Sequence, residues 1–139
     1  MRVFCSCIIL ICLGGCSTPE RTWAGHSRDV VWTAMLAVAQ SPEYDHQNAK
    51  QRWQVLENDV NQDSNAGIIK VRRTIRRAIR LPRQEVQRDF REIIFQVVLL
   101  PKEPPVTVFE ALSFQYVPVR SVEESTRFFN QMDELLSRP

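Results

Sequence analysis

Arginine is concentrated in one short part of this 139-residue chain. Between Lys70 and Arg91 there are nine basic residues and only two acids, Glu85 and Asp89, so the local charge is +7. A guanidinium group presents a planar fork of N–H donors that suits phosphate and carboxylate groups better than an ammonium group does. The stretch is therefore a candidate site for an anionic ligand. Its candidate binding residues are Arg72, Arg73, Arg76, Arg77 and Arg80.

Three interpretations of this stretch compete. In the first, the arginines form a solvated face and pair with Asp89, Glu92 and the acidic helices. In the second, they bind anionic lipid headgroups, lipopolysaccharide phosphates or another acidic envelope polymer, and in the third an acidic protein partner. Nucleic acid is not expected, because no aromatic residue lies between Ile68 and Asp89 to stack on a base.

Residues that could support catalysis or hold a metal are sparse. The chain has only two histidines, His26 and His46, and no serine or cysteine lies in a recognisable nucleophile motif. Oxygen-bearing side chains alternate from Asp59 onward as in a calcium loop, but Ser64 replaces the glycine of the sixth position and Lys70 the glutamate of the twelfth. We therefore expect a non-enzymatic protein with no cofactor and no metal site.

The N-terminal segment has the three parts of an export signal: Arg2, an apolar run from Val3 to Leu13, and small residues before a cysteine. The run is too short to cross a bilayer as a helix, which takes about twenty residues. The motif Leu13-Gly14-Gly15-Cys16 resembles the lipobox of bacterial lipoproteins. The alternative is a signal peptide cut by the ordinary signal peptidase, in which case Cys16 has no special role.

The resemblance implies that residues 1–15 are removed and that Cys16 becomes the N-terminus, carrying a diacylglycerol and an acyl chain such as palmitate. Ser17 follows it, and not the Asp associated with inner-membrane retention, so the resemblance favours the outer membrane with the domain facing the periplasm. Cys5, Cys7 and Cys12 lie in the removed segment. The mature chain then has one cysteine and no internal disulfide, and membrane attachment comes from the lipid anchor.

The remaining chain is predicted to contain a tether at 16–26 and a single domain at 27–139. Ser27 is a suitable N-cap for a helix over 28–40, and strands are predicted at 52–60, 86–100 and 106–117. Residues 68–81 fit a strand or a helix, with the strand favoured because the strand at 86–100 needs an antiparallel neighbour. Ser121 to Glu124 read as a capping box for a last helix. The common side of the strand at 106–117 is predicted to hold Val106, Val108, Leu112, Phe114 and Tyr116.

This order predicts an α+β fold, in which a four-stranded antiparallel meander carries an N-terminal and a C-terminal helix on one face. The layout resembles the small helix-and-sheet modules of envelope-assembly lipoproteins, such as those that serve the lipopolysaccharide translocon or the barrel-assembly machine. The expected function is a membrane-anchored, non-enzymatic binding or scaffolding module of the cell envelope, with an envelope protein as a candidate partner. The alternatives are a purely structural envelope lipoprotein and a binder of anionic lipid or lipopolysaccharide.

Overall fold

The computed structural model describes residues 18–44, 52–79, 82–114 and 118–138. Residues 1–15, which are predicted to be removed, lie outside these ranges. So do Cys16, His46, Arg80 and Tyr116, which are named above. The fold is α+β and combines an antiparallel sheet with two helices. In chain order the elements are β1 (Glu20–Thr22), α1 (Arg28–Gln40), β2 (Gln54–Asp63), β3 (Ile68–Ile79), β4 (Gln87–Leu100), β5 (Val106–Phe114) and α2 (Pro118–Leu136).

The sheet has five strands in the order β1-β5-β4-β3-β2. The strands β2 to β5 form the predicted meander, and residues 68–79 adopt the favoured strand conformation. This segment is a strand because it pairs with β4 along its whole length, from Ile68 opposite Val98 to Ile79 opposite Gln87.

The fifth strand, β1, was not predicted, because residues 16–26 were assigned to a tether. Glu20–Thr22 instead pair with β5 at the edge of the sheet. Trp23 explains the difference, since it is only 4% exposed and its indole Nε1 donates a hydrogen bond to Thr107 Oγ1 at 2.9 Å. Burying the indole ring holds the residues before it against the sheet edge.

Both helices pack on the same face of the sheet. The N-cap of α1 is Ser27, whose hydroxyl accepts from the backbone N–H of Val30, as the sequence predicts. Phe95 and Phe109 stack with ring centroids 4.7 Å apart, and Phe128 of α2 meets Phe95 edge-on. Further buried residues of this core are Val31, Met35 and Val38 of α1, Ile69, Val71, Val97 and Leu99 of the sheet, and Phe129 and Met132 of α2.

The start of α2 differs from the prediction. The helix begins at Pro118, so Ser121 lies inside it and the predicted capping box is wrong. Glu124 is correspondingly not at a helix start. It lies one turn before Phe128, on the side that faces the core, and is 6% exposed.

The predicted face of β5 is also wrong. Thr107 and Phe109 are the buried residues, whereas Leu112 is 52% exposed. The pairing with β4 shifts between Phe95, opposite Ala111, and Ile94, opposite Ser113, so Leu112 has no partner. One extra residue of this kind reverses the side to which later side chains point, and a simple alternation cannot anticipate it.

The other face of the sheet is covered by neither described helix. Its β2–β3 half is charged, whereas its β4–β5 half is largely apolar, apart from the hydrogen-bonded pair of Gln96 and Glu110. Ile68, Val98 and Val108 form one row across three strands in the pairing register. The apolar side chains of this open face, all half-buried, are Ile68, Ile94, Val98, Leu100, Val106 and Val108.

The hairpin of β3 and β4 extends beyond its neighbours. The last pair with β2 is Arg76 opposite Gln54, and the last pair with β5 is Ile93 opposite Phe114. The described residues of the range 77–92 therefore extend past one or both neighbouring strands, and we call them the hairpin arm. Along β4 the arm extends about 20 Å past the last pair with β5, from Ile93 to Gln87, and about 10 Å past the last pair with β2, from Phe90 to Gln87.

Candidate functional site

The predicted arginine site is divided between the two faces of the sheet. Successive residues of a strand point to opposite sides, so Arg72 and Arg76 lie on the open face, and Arg73 and Arg77 on the face that carries the helices. Arg80 lies outside the described residues. The structure therefore does not bring the described arginines together as one patch, and the prediction of a single anion-binding surface is corrected accordingly.

The two open-face arginines have different partners. Arg72 donates from Nε to Glu92 Oε1 at 2.8 Å, and the hydrogen bond and charge of Glu92 raise the pKa of Arg72 above its ordinary value. Arg76 donates to the neutral side chain of Gln54 at 3.0 Å. The charge of Arg72 is thus compensated across the strands, as the first interpretation of the stretch predicts, and that of Arg76 is not.

Arg73 is completely buried, with 0% of its surface exposed. Its Nε donates to Asn58 Oδ1 at 2.8 Å and its Nη2 to the backbone oxygen of Ala39 at 3.0 Å. Its Nη1 donates to the hydroxyl of Tyr44 at 2.9 Å and to Glu124 Oε1 at 3.1 Å. A guanidinium so completely engaged is a structural group, and Arg73 has no surface with which to contact a ligand.

Glu124 is the counter-ion of two arginines. Besides Arg73 it accepts from Nη2 of Arg127 at 2.5 Å, and its two oxygens lie 3.0 and 3.1 Å from the Tyr44 hydroxyl. The charge and hydrogen bond of Glu124 outweigh the effect of burial on Arg127 and raise its pKa above the ordinary value. We call the five residues Tyr44, Asn58, Arg73, Glu124 and Arg127 the buried ion cluster.

A second cluster lies at the base of the hairpin arm. The ring of Trp53 contacts two guanidinium groups, with its centroid 4.7 Å from Cζ of Arg77 and 4.5 Å from Cζ of Arg91. Asp89 accepts from both arginines, at 3.2 and 2.9 Å. Partial burial tends to raise the pKa of Asp89. The hydrogen bonds and charges of Arg91 and Arg77 outweigh this effect and hold the pKa of Asp89 below its usual range. These contacts fix the arm to the residues just before β2.

A small cleft of about 140 Å³ separates the two clusters. Its walls are largely apolar, and its guanidinium groups, those of Arg91 and Arg127, are already paired with Asp89 and Glu124. Neither histidine contributes to it, since His26 lies beyond Trp23 and His46 is outside the described residues. The lining residues are Tyr44, Trp53, Ile75, Arg91, Ile93, Glu123, Glu124 and Arg127.

The segment that opens like a calcium loop is a hairpin turn between β2 and β3. Asp63 Oδ1 accepts from the backbone N–H groups of Asn65 and Ala66, at 3.1 and 3.0 Å. Gly67 adopts φ +70°, and a Cβ atom there would lie 2.7 Å from the backbone oxygen of Leu99. Among the described residues, no three His, Cys, Asp or Glu side chains are grouped so that they could hold a metal ion.

Sequence reasoning missed the buried ion cluster, although a signal for half of it was present. Arg73 occupies the same alternation as Ile69, Val71 and Ile75, so an arginine stands where an apolar residue is expected. Glu124 precedes Phe128 by one helical turn and so shares its face. An arginine at a strand position where the alternation expects a buried apolar residue, together with an acid at such a position of a helix, indicates a buried ion pair.

Comparison of the sequence with protein-family models and with curated proteins gives no match. Within the described ranges, no helix has the length and apolar character needed to cross a membrane.

The buried ion cluster predicts a large effect of removing one charge. Replacing Glu124 by Gln preserves its shape but leaves Arg73 buried without a full counter-charge, and we expect the free energy of unfolding to fall by about 3 kcal/mol. The measurement is urea denaturation followed by circular dichroism. Glu123→Gln, at the exposed neighbouring position, is the matched control and should change stability by less than about 0.5 kcal/mol. Similar small losses in both variants would contradict the assignment.

Tyr44 provides a pH-dependent test of the same cluster. Burial, and then the charge of Glu124, raise the pKa of Tyr44 to about 12. Between the ordinary value near 10 and this raised value, the folded state binds more protons than the unfolded state, so stability falls as pH rises through this window. Absorbance at 295 nm should show a tyrosinate transition near pH 12 that Tyr44→Phe abolishes. If Tyr44→Phe gave the same titration curve as the wild-type chain, the assignment of this transition to Tyr44 would be wrong.

Proposed function

We propose that this chain is a bacterial envelope lipoprotein, anchored through lipid on Cys16 in the outer membrane and facing the periplasm. Its α+β domain acts as a non-enzymatic binding or scaffolding module. The observation that carries the proposal is the position of β1, which enters the sheet at Glu20. Only Ser17 and Thr18 lie between Cys16 and Pro19, so the domain lies within about 10 Å of the anchoring residue.

The direction of β1 indicates where on the domain the lipid anchor would lie. The backbone N–H of Phe109 donates to the oxygen of Pro19, so the chain before Glu20 runs beside β5 towards Glu110. That is the end of the sheet from which the hairpin arm projects. Because Pro19 lies opposite Phe109, midway along β5, a lipid on Cys16 would attach the β1 edge of the sheet to the bilayer.

The open face favours a binding or scaffolding module over the runner-up, a purely structural lipoprotein. An antiparallel sheet with helices on one side usually alternates apolar and polar residues, so its uncovered face is polar. Here the open side of β4 carries Ile94, Val98 and Leu100 in addition to the polar residue Gln96. Val98 and Val108 lie side by side in the row that begins at Ile68. Contiguous apolar residues on an uncovered face are typical of protein-binding surfaces, and we assign this face to an envelope protein partner with an apolar surface.

The anchor is tested by the mass of the protein extracted from envelopes of the expressing cell. The wild-type chain should begin at Cys16 and carry a diacylglycerol and an acyl chain, and it should incorporate an alkyne-tagged fatty acid. Cys16→Ser should lose the label and retain residues 1–15, whereas Ser17→Ala, its neighbour, should be processed normally. A wild-type chain without acyl groups, or cut at another residue, would refute the proposal.

The open face is tested by native electrophoresis of envelopes solubilised in mild detergent. The wild-type chain should migrate as part of a larger complex, and the double variant Val98→Lys/Val108→Lys at the mass of the single chain. Thr126→Lys/Asn130→Lys adds the same charge on the exposed side of α2 and should leave the complex intact. Wild-type migration as a single chain would favour the structural runner-up, and migration at twice its mass would identify a second copy as the partner.

A further inference from the structure

The tip of the hairpin arm combines exposed apolar side chains with uncompensated cations. Val86 and Phe90 are each 52% exposed, although both are large apolar residues. Arg83 and Arg88 lie beside them, are exposed, and have no ion-pair partner among the residues that the structure describes. Arg76, the cross-strand neighbour of Phe90, donates to the neutral amide of Gln54 and has no ion pair within the described ranges.

The acids of the arm do not neutralise this group. Asp89 is shared by Arg77 and Arg91, and Glu92 is paired with Arg72. Only Glu85 remains at the tip as an exposed acid without such a pair in the described part of the chain. These ion pairs therefore use Asp89 and Glu92 and leave the arginines of the tip without an ion pair in the described part of the chain.

Arg83 occupies an unusual backbone conformation. Its φ is +64°, in the left-handed region that glycine or asparagine normally fills at a tight turn. A residue with a Cβ is disfavoured there by about 1 kcal/mol. The turn thus carries a long cationic side chain at its end, where a glycine would be the easier choice.

Apolar and aromatic side chains surrounded by arginine are the composition of segments that lie at a membrane surface. The apolar groups enter the boundary between headgroups and acyl chains, and the cations lie against anionic headgroups. A protein groove that used the same residues would need acidic groups placed opposite each arginine, whereas a bilayer supplies negative charge over its whole surface. The long reach of the arm beyond the sheet suits a planar surface of this kind.

We infer that the tip of the hairpin arm, through Arg76, Arg83, Val86, Arg88 and Phe90, docks the domain on the anionic surface of the membrane that holds its lipid anchor. The inference rests on the proposed function, because the anchor keeps the arm at the bilayer. The chain before β1 runs along β5 in the direction in which the arm projects. Anchor and arm then form two points of attachment, and together they fix the orientation of the domain, which a single flexible link would leave free.

The test uses the full chain, extracted from envelopes in detergent and reconstituted into vesicles of phosphatidylcholine with or without phosphatidylglycerol. Val86→Cys carries an environment-sensitive fluorophore, since lipidation of Cys16 leaves no other free thiol in the mature chain. The emission should shift to shorter wavelength only in vesicles that contain phosphatidylglycerol, and high salt should reduce the shift. The same shift in both vesicle types, or none in either, would overturn the inference.

Charge reversal identifies the residues responsible. In the labelled chain, Arg83→Glu/Arg88→Glu should abolish the shift, because losing two surface arginines alone lowers the ratio of docked to undocked arms about 25-fold. Lys70→Glu/Lys102→Glu makes the same change in net charge at the opposite end of the sheet and should retain the shift. Retention in the first variant, or equal loss in both, would refute a specific role of the arm.

The design separates failure of this inference from failure of the proposed function. A chain without acyl groups would not float with the vesicles in a density gradient, and that result would overturn the anchor and the docking together. A chain that floats while its label does not respond to phosphatidylglycerol would overturn the docking alone. Crosslinking from position 86 to an envelope protein, with no response to vesicles, would assign the arm to a protein partner and refute the lipid.

Discussion

The buried contact between Arg73 and Glu124 is the constraint on which the rest of the structure depends. A guanidinium with no exposed surface is tolerated only when its donors and its charge are satisfied. Its partners come from four separate parts of the chain: the end of α1 at Ala39, the following loop at Tyr44, β2 at Asn58 and α2 at Glu124. Apolar packing is non-directional, whereas the buried ion pair requires its donors and acceptors in one arrangement. The cluster therefore specifies where the second helix lies.

This constraint also determines the form of the arginine-rich end. Because Arg73 must face the helices, strand alternation sends Arg72 to the open face, and Arg77 falls beyond the edge of the helical layer. There it stacks on Trp53 together with Arg91, and Asp89 bridges the two guanidinium groups. The base of the arm is thus held by contacts among Arg77, Arg91, Asp89 and Trp53, whereas the exposed arginines of its tip have no ion pair within the described residues. A buried pair in the domain and a cationic projection at its end are two consequences of the same strand register.

Local patterns in the sequence predict the parts of the fold that depend on near neighbours. The helix α1 with its Ser27 cap and the alternation of Ile93, Phe95, Val97 and Leu99 in β4 are of this kind. The strand β1 could not be predicted, because three residues form a strand here only through the distant contact of Trp23 with Thr107. The prediction of which side chains share a face of β5 failed for a similar reason. Leu112 is left without a partner by the way β5 pairs with β4, and its neighbours in the sequence do not reveal this. Arg73 was recognised as a functional candidate from its type, but its burial depends on an acid fifty-one residues later in the chain.

The charge of +7 between Lys70 and Arg91 overstates the positive surface that the protein presents. Arg72 is neutralised by Glu92, Arg73 shares Glu124 with Arg127, and Arg77 and Arg91 share Asp89. Glu92 and Glu124 lie outside the stretch, so a count over the stretch alone could not include them. Of the described cations that remain uncompensated, Lys70 lies near the start of β3, whereas Arg76, Arg83 and Arg88 lie towards the arm. Folding therefore converts a diffuse basic stretch into a small cationic tip with Val86 and Phe90 beside it.

Such a tip is too small to hold a protein on a membrane by itself. It can orient one that a lipid already holds there, because attachment has then removed most of the entropic cost of bringing arm and bilayer together.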